Sequence, residues 1–513
     1  MNVAQSDNKR VAKNTILLYG RMFLLLAVSL YTSRVVLSAL GFENYGIYNV
    51  VGGIVAMFSF INMALANSTS RFITFSLGKD DLDDSRQVFN ACFIVHIIIA
   101  LVIILLSETV GLWFLYNKMV IPESRMYAAL WVYQFSVIAC IASILYAPFN
   151  ATIIAHEKMS AFALISILDA FLKLLIAYLI SVFRDDRLIL YAFLLLCVSI
   201  TDIIIYLIYC KRKFPEVKFE RIKNKNNPEE IMGFAGWSMI GNLAFVGYTQ
   251  GLNILLNLFF GPIVNAARGV ATQLQSAVMG FVTNFQMAVN PQITKSYAQG
   301  DFNRLHTLVY ASSKFSFFLL YCIILPLSIE SKSILSIWLV DVPDYAVQFT
   351  VLTLFARLID TLSNPIGISN NATGTIKTYQ IFEGGSLLLI VPIAYLVLKL
   401  GGNPTSVFWV QLIIMYAVQI LRLFLVCGKI NMSKKEYCKK VLLRIIPVAV
   451  VSAIIPLMLH QLLPSSIVSS IVVVLISIGS VLLFSYLIGL EYNERLMLQK
   501  KAIEIKNRLI SQE

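Results

Sequence analysis

Residues 88–107 read VFNACFIVHIIIALVIILLS. No Asp, Glu, Lys or Arg interrupts them. As a helix rising ~1.5 Å per residue they cover about 30 Å, the thickness of a bilayer's hydrocarbon core. A barrel strand would instead alternate polar and apolar residues over about ten positions. Outward from this stretch the same signal recurs near 14–40, 47–66, 126–147, 161–183, 188–210, 231–257, 264–290, 307–328, 346–365, 379–398, 405–427, 445–463 and 467–489. With 88–107 that predicts an all-α polytopic membrane protein of about fourteen transmembrane helices.

The composition agrees. Of 513 residues, 58% are hydrophobic and 13% charged, against roughly 25% charged in soluble domains; mean hydropathy is +0.77. The first apolar run is too long for a signal-peptide core and reads as a retained span. A net charge of +13 raises the question of nucleic acid, but the basic residues lie in short connections between spans. No basic domain is available to hold a duplex. The seven cysteines form no CxxC pair and the four histidines show no ligand spacing, so neither metal nor other cofactor is expected.

Lysine and arginine choose the orientation. With the N-terminus inside, the inner connections carry 28 of them and the outer connections six, Lys118, Arg125, Arg184, Arg187, Lys332 and Lys399. Both termini are expected in the cytoplasm, with the basic stretch KRKFPEVKFERIKNKNNPEE (211–230) joining spans six and seven inside.

The two halves show related landmarks. Gly41 and Gly261 end the first and seventh spans; Met63-Ala64 and Met287-Ala288 close the second and eighth. Pro148 and Pro365 open the loops PFNATIIAHEKM and PIGISNNATGTIK. An offset near 220 predicts two parallel six-helix bundles, related by an axis along the membrane normal. The expected domains are residues 1–220, 221–430, and 431–513 with two extra C-terminal helices and a tail.

Ionisable groups within spans are costly and face a cavity or a partner. Here they are Arg21 and Arg34 on span one, Asp169 and Lys173 on five, Asp202 on six, Arg268 on eight and Lys314 on nine. Arg357 and Asp360 follow on ten, Glu383 on eleven and Arg422 on twelve. Seven cations face four anions, a balance that favours an anionic ligand, since arginine's fork of donors suits phosphates. Asp169 with Lys173, and Arg357 with Asp360, have the spacing to neutralise one another on one helix face, so structural pairing stands beside a substrate role. Lys314, Glu383 and Arg422 lie near inner ends and are expected to snorkel. Arg21, Arg34 and Arg268 have no same-helix acid nearby and are the leading cavity candidates.

Span seven carries a polar stripe, Asn242, Thr249 or Gln250, Asn253 and Asn257. It serves equally as the lining of a wet path or as interhelical glue. The acidic cluster Asp80, Asp81, Asp83 and Asp84 reads as a solvated turn. No P-loop, HExxH or GxSxG occurs, and no loop is large enough for a soluble active site, so an enzyme is not expected.

Six phrases, in order from residue 40 to 380, resemble the bacterial polysaccharide exporters. They are LGFENYGIYNVVGGI, SRFITFSLGKDD, PFNATIIAHEKM, NPQITKSYAQGD, ILSIWLVDVPDYA and NATGTIKTYQ. The chain thus resembles O-antigen or capsular repeat-unit flippases, within the superfamily of multidrug and toxic-compound extruders and lipid II flippases. The resemblance implies an undecaprenyl-diphosphate-linked oligosaccharide as substrate, moved to the periplasmic leaflet of the inner membrane. Membrane lipids, a polysaccharide polymerase and chain-length proteins are the partners it implies. Arg21 or Arg34 and Arg268 occupy the helices whose arginines contact the anionic head in lipid II flippases. Lys173 and Arg357 join them as substrate candidates; Asp169, Asp202 and Asp360 are the candidate carriers of a coupling proton or sodium ion. An ion-coupled multidrug antiporter of the same superfamily is the alternative, with a membrane oligosaccharide polymerase third.

Overall fold

The computed structural model describes residues 14–496, apart from 16, 30, 33–34, 37–38, 41–43, 45–46, 49–50, 52–54, 56–58, 80, 119–120, 184–185, 221–225, 339–341, 465 and 493. Every regular element among the described residues is helical. Eleven stretches there are long and apolar enough to cross a membrane, and a shorter apolar helix covers Leu17–Ser29. They correspond to the third to seventh and ninth to fourteenth expected spans. The surface confirms the solvent they are built for: Leu105, Leu164, Tyr178, Leu258 and Leu475 stand well exposed, while Thr69, Ser313 and Thr361 are fully buried. In lipid, small hydroxyl residues between helices permit close packing and hydrogen bonds across them.

Spans seven and eight hold a finding the sequence pattern did not show. Helical backbone runs without a break over Asn226–Ala298. A straight rod would separate residues 249 and 268 by roughly 28 Å. Instead, Arg268 donates from Nη2 to the Thr249 carbonyl at 2.6 Å, and Leu252, Leu256, Val264 and Ala271 share one apolar cluster. The two spans are therefore a hairpin whose reversal keeps helical geometry.

A second irregularity has a clear cause. The third span passes through a π-turn at Ser107–Gly111, in which the Ser107 carbonyl accepts from the Leu112 N–H five residues on. Tyr133 on the fourth span (Met126–Ala155) donates its hydroxyl to that carbonyl at 2.7 Å. Gly111 is what admits the ring tip, because a Cβ there would overlap the Tyr133 hydroxyl.

The chain divides into two compact units. Unit 1 comprises Met1–Val246, Met287–Asp301 and Gly374–Ile381; unit 2 comprises Gly247–Gln286, Phe302–Thr373 and Phe382–Glu513. Within unit 1 the fourth and sixth helices pack most extensively, and the basic connection is tied to the third helix. Arg86 donates to the Pro215 carbonyl, and Asn90 to the Lys218 carbonyl. The acidic cluster proves to be a helix cap: Asp81 accepts from the backbone N–H groups of Asp83 and Asp84.

Within unit 2 the thirteenth and fourteenth helices pair with each other and lie against the ninth, Phe302–Ile329. Tyr321 donates to the Ala449 carbonyl at 2.7 Å and Ser480 to the Ser452 carbonyl at 2.8 Å.

Candidate functional site

Each unit brings charged residues of its spans together. In unit 1 the fifth helix (Met159–Val182) places Asp169 and Lys173 one turn apart, and their ion pair closes at 2.8 Å. The sixth helix (Arg187–Lys213) brings Asp202 within hydrogen-bonding reach of Asp169. Above them Tyr146 and Tyr206 stack with ring centres 5.0 Å apart. Tyr206 shares the electrostatic field of Asp202, Arg21 and Asp169. Arg21 lies 4.4 Å over the Phe162 ring, and its buried Nε has no hydrogen-bond partner among the described residues. Arg34, the other candidate on the first span, lies outside the described residues. Unit 1 also has an open, uncharged cavity of about 290 Å³, lined in part by Tyr48, Asn62, Phe135, Ser136, Cys140 and Ser143.

Unit 2 assembles a different set. Tyr248, only 1% exposed, lies in the electrostatic reach of Arg268, Arg357, Asp360 and Arg422. Arg268 is 5% exposed. One end of its guanidinium is spent on the Thr249 carbonyl, and its buried Nη1 has no hydrogen-bond partner among the described residues. Arg357 pairs with Asp360 at 2.9 Å, as the three-residue spacing allows.

Arg422, at 5% exposure, donates to Glu383 from Nε and Nη2, and from Nη1 to Ser363. Ser363 in turn donates to Gln419. Three arginines against Asp360 and Glu383 leave one positive charge in excess around a tyrosine hydroxyl.

Lys314, Glu383 and Arg422 correct the sequence expectation. They do not snorkel. Lys314 is 2% exposed and meets Glu494 at 2.6 Å, and Arg422 and Glu383 form the pair just described. Their partners lie 180 and 39 residues away, so interhelical pairing removes the need to reach water. Tyr248 was overlooked in the sequence because one tyrosine among 23 carries no distinguishing mark. The signal was its place beside the polar stripe of span seven. That stripe is divided in use: the Thr249 carbonyl serves Arg268, Asn253 donates to Gln250 at 3.0 Å, and the Asn257 side chain lies outside the described residues.

No protein-family profile and no curated protein matches the chain. Solved structures do. A MATE transporter in complex with MaD3S aligns with a TM-score of 0.67 at 16% identity, covering 83% of this chain and 96% of that one. The MATE transporter ClbM in complex with rubidium gives 0.67 at 14% identity over 83% and 96%. A MOP-superfamily transporter from Pyrococcus furiosus, described as having a binding pocket of reverse polarity, gives 0.62 at 14% over 82% and 96%. At these identities the likeness establishes architecture: this chain has the fold of the MATE transporters of the MOP superfamily.

Proposed function

We propose that the chain is a secondary-active membrane transporter working by alternating access, and that its substrate is anionic. The shared fold supports the first part. The second rests on one observation, the cluster of Arg268, Arg357 and Arg422 around buried Tyr248, with a guanidinium nitrogen on Arg268 that has no hydrogen-bond partner among the described residues. A buried donor without an acceptor costs about 1–3 kcal/mol, a cost that a diphosphate oxygen would remove. Joined to the polysaccharide-exporter phrases of the sequence, this reading makes the substrate an undecaprenyl-diphosphate-linked oligosaccharide. The sugars would cross to the periplasmic leaflet of the bacterial inner membrane, with both protein termini in the cytoplasm, to be handed to a polymerase and chain-length proteins.

The second reading is an ion-coupled small-molecule antiporter. By name the solved neighbours favour it over the flippase, and unit 1 supplies an observation of its own. Asp169 and Asp202 lie side by side next to Lys173, a place for a proton or small cation in either kind of transporter. Proteoliposomes separate the two. Lipid-linked oligosaccharide becoming accessible to a lectin on the opposite leaflet supports the flippase. Efflux of a cationic dye against a sodium or proton gradient, with no lipid movement, gives the antiporter.

A further inference from the structure

The loops PFNATIIAHEKM and PIGISNNATGTIK align at an offset of 217, and their structures agree residue by residue. Thr152 donates back to the Pro148 carbonyl at 2.8 Å, and Ser369 to the Pro365 carbonyl at 2.8 Å. The fourth helix ends at Ala155 and the tenth at Ala372. Two residues later each chain enters the left-handed region, at Glu157 with φ 57 and at Gly374 with φ 77. Glycine adopts that conformation freely; for glutamate it costs about 1–2 kcal/mol. A strained glutamate kept at the equivalent of a glycine points to a task for its side chain.

That task is visible. The Glu157 carboxylate is fully buried. Oε1 accepts from Lys295 at 3.2 Å and Oε2 from Gln292 at 3.1 Å, both on the end of the eighth span. Its carbonyl accepts from Asn14, at the start of the first span. Gly374 receives a cation too. A Cβ there would lie 2.7 Å from Arg71 Nη2, on the end of the second span. Arg71 is buried over the rings of Phe72, Phe75 and Phe234, with Glu230 at 4.0 Å.

The second and eighth spans are equivalents as well. SRFITFSLGKDD and NPQITKSYAQGD align at an offset of 220 through Ile73-Thr74 and Ile293-Thr294. The two cations then stand one helical turn apart on matching helix ends. These ends also touch: a Cβ on Gly78 would lie 2.8 Å from that of Ala298, and Phe75 faces Tyr297. Arg71, Glu157, Gln292, Lys295 and Gly374 all belong to unit 1.

We infer that the two left-handed loop residues form a paired latch in which each repeat seats a cation from the other repeat's helix end, holding the cytoplasmic side of the transport path shut. The loop after span four holds the end of span eight, and the loop after span ten holds the end of span two. In the orientation set by the lysines and arginines, every one of these positions is cytoplasmic. The inference rests on the transporter reading, because a latch needs a path to close. One side is ionic and the other steric, so opening inward requires breaking a buried ion pair and lifting a guanidinium off a glycine.

The test uses the purified full-length chain in nanodiscs, with its seven native cysteines replaced and spin labels at exposed positions 79 and 299. The wild-type sequence is expected to give one short distance. Glu157→Gly removes the carboxylate while relieving the backbone, and thermal unfolding checks that the variant is folded. Gly374→Ala pushes on Arg71. Each is expected to raise the ratio of separated to closed populations at least about tenfold, as loss of a buried ionic or close contact requires. The charge-reversed pair Glu157→Lys with Lys295→Glu is expected to restore the short distance that either single reversal loses. Unchanged distances in Glu157→Gly and Gly374→Ala, or no restoration by the reversed pair, overturns the latch. Because distances are read without substrate, shifted distances in a protein that transports nothing would count against the transporter reading alone.

Discussion

In unit 1, Asp169 and Lys173 form a same-helix pair, and the next helix adds a second acid, Asp202. In unit 2, Arg357 and Asp360 form a same-helix pair, and the neighbouring helices add Arg268 and Arg422 around Tyr248. The starting pairs are alike; the third partner sets the sign of the site. A pair that is neutral on its own helix becomes a place for a cation when an acid joins it. It becomes a place for an anion when arginines do. In the proposed transporter, this contrast would give coupling to unit 1 and headgroup binding to unit 2.

The largest expected effect tests whether unit 2's cluster is one physical unit. Arg422→Ala leaves Glu383 buried beside Ser363 without its counter-charge, which should cost about 3–5 kcal/mol. A thermal-unfolding series should show it, with much of the loss recovered when Glu383→Gln is combined with Arg422→Met. A cost below about 1 kcal/mol would mean that water already reaches the pair. Next come Arg268→Ala and Arg357→Ala, each expected to slow movement of the lipid-linked substrate about 100-fold, or ~2.7 kcal/mol. Lys173→Ala in unit 1 should change it less than about threefold. Equal losses at all three positions would abolish the contrast. Asp202→Asn should act on coupling instead: the dependence of rate on the proton or sodium gradient flattens, with about a tenfold fall at full gradient. Gradient dependence that survives Asp202→Asn unchanged removes unit 1 from that role.

The sequence carried the spans well because apolar runs of bilayer length have few other readings, and residues 88–107 fall within the helical span Leu82–Asn117. It carried the two same-helix pairs for an equally local reason, the three- and four-residue spacing. What it did not carry depends on contacts between distant residues. Lys314 finds Glu494, and Arg422 finds Glu383; neither partner is visible from the helix that bears the cation. The hairpin of spans seven and eight was hidden differently. Gly261 reads as the end of span seven, yet the reversal into span eight is accomplished with helical backbone throughout. Glu157 was readable only as one polar residue in a loop until its left-handed conformation exposed it as the counterpart of Gly374.

The comparison extends to two clasps at span ends, each closed on a carboxylate. In unit 1, Arg125 grips Asp186 through two bonds, at 2.8 and 3.0 Å. In unit 2, His460 meets Glu330 at 2.7 Å, with Ser470 and Ser333 also donating. Burial acts to raise both carboxyl groups. The Arg125 bonds and charge with the Leu188 and Ile189 N–H groups outweigh it at Asp186; the Ser470, His460 and Ser333 bonds outweigh it at Glu330. Both therefore sit below the usual carboxylate range. A depressed value means that the stabilisation is complete above the unfolded carboxylate range of about 4. It is lost as pH falls through the folded value, so both clasps weaken in acid. His460→Ala and Arg125→Ala should each cost about 1 kcal/mol of unfolding free energy at pH 7 and less at pH 3, where the carboxylate partner begins to take up its proton. Thermal unfolding of the two variants at the two pH values decides it: a cost at His460 that does not fall in acid would show that the Glu330 carboxylate does not close the unit 2 clasp.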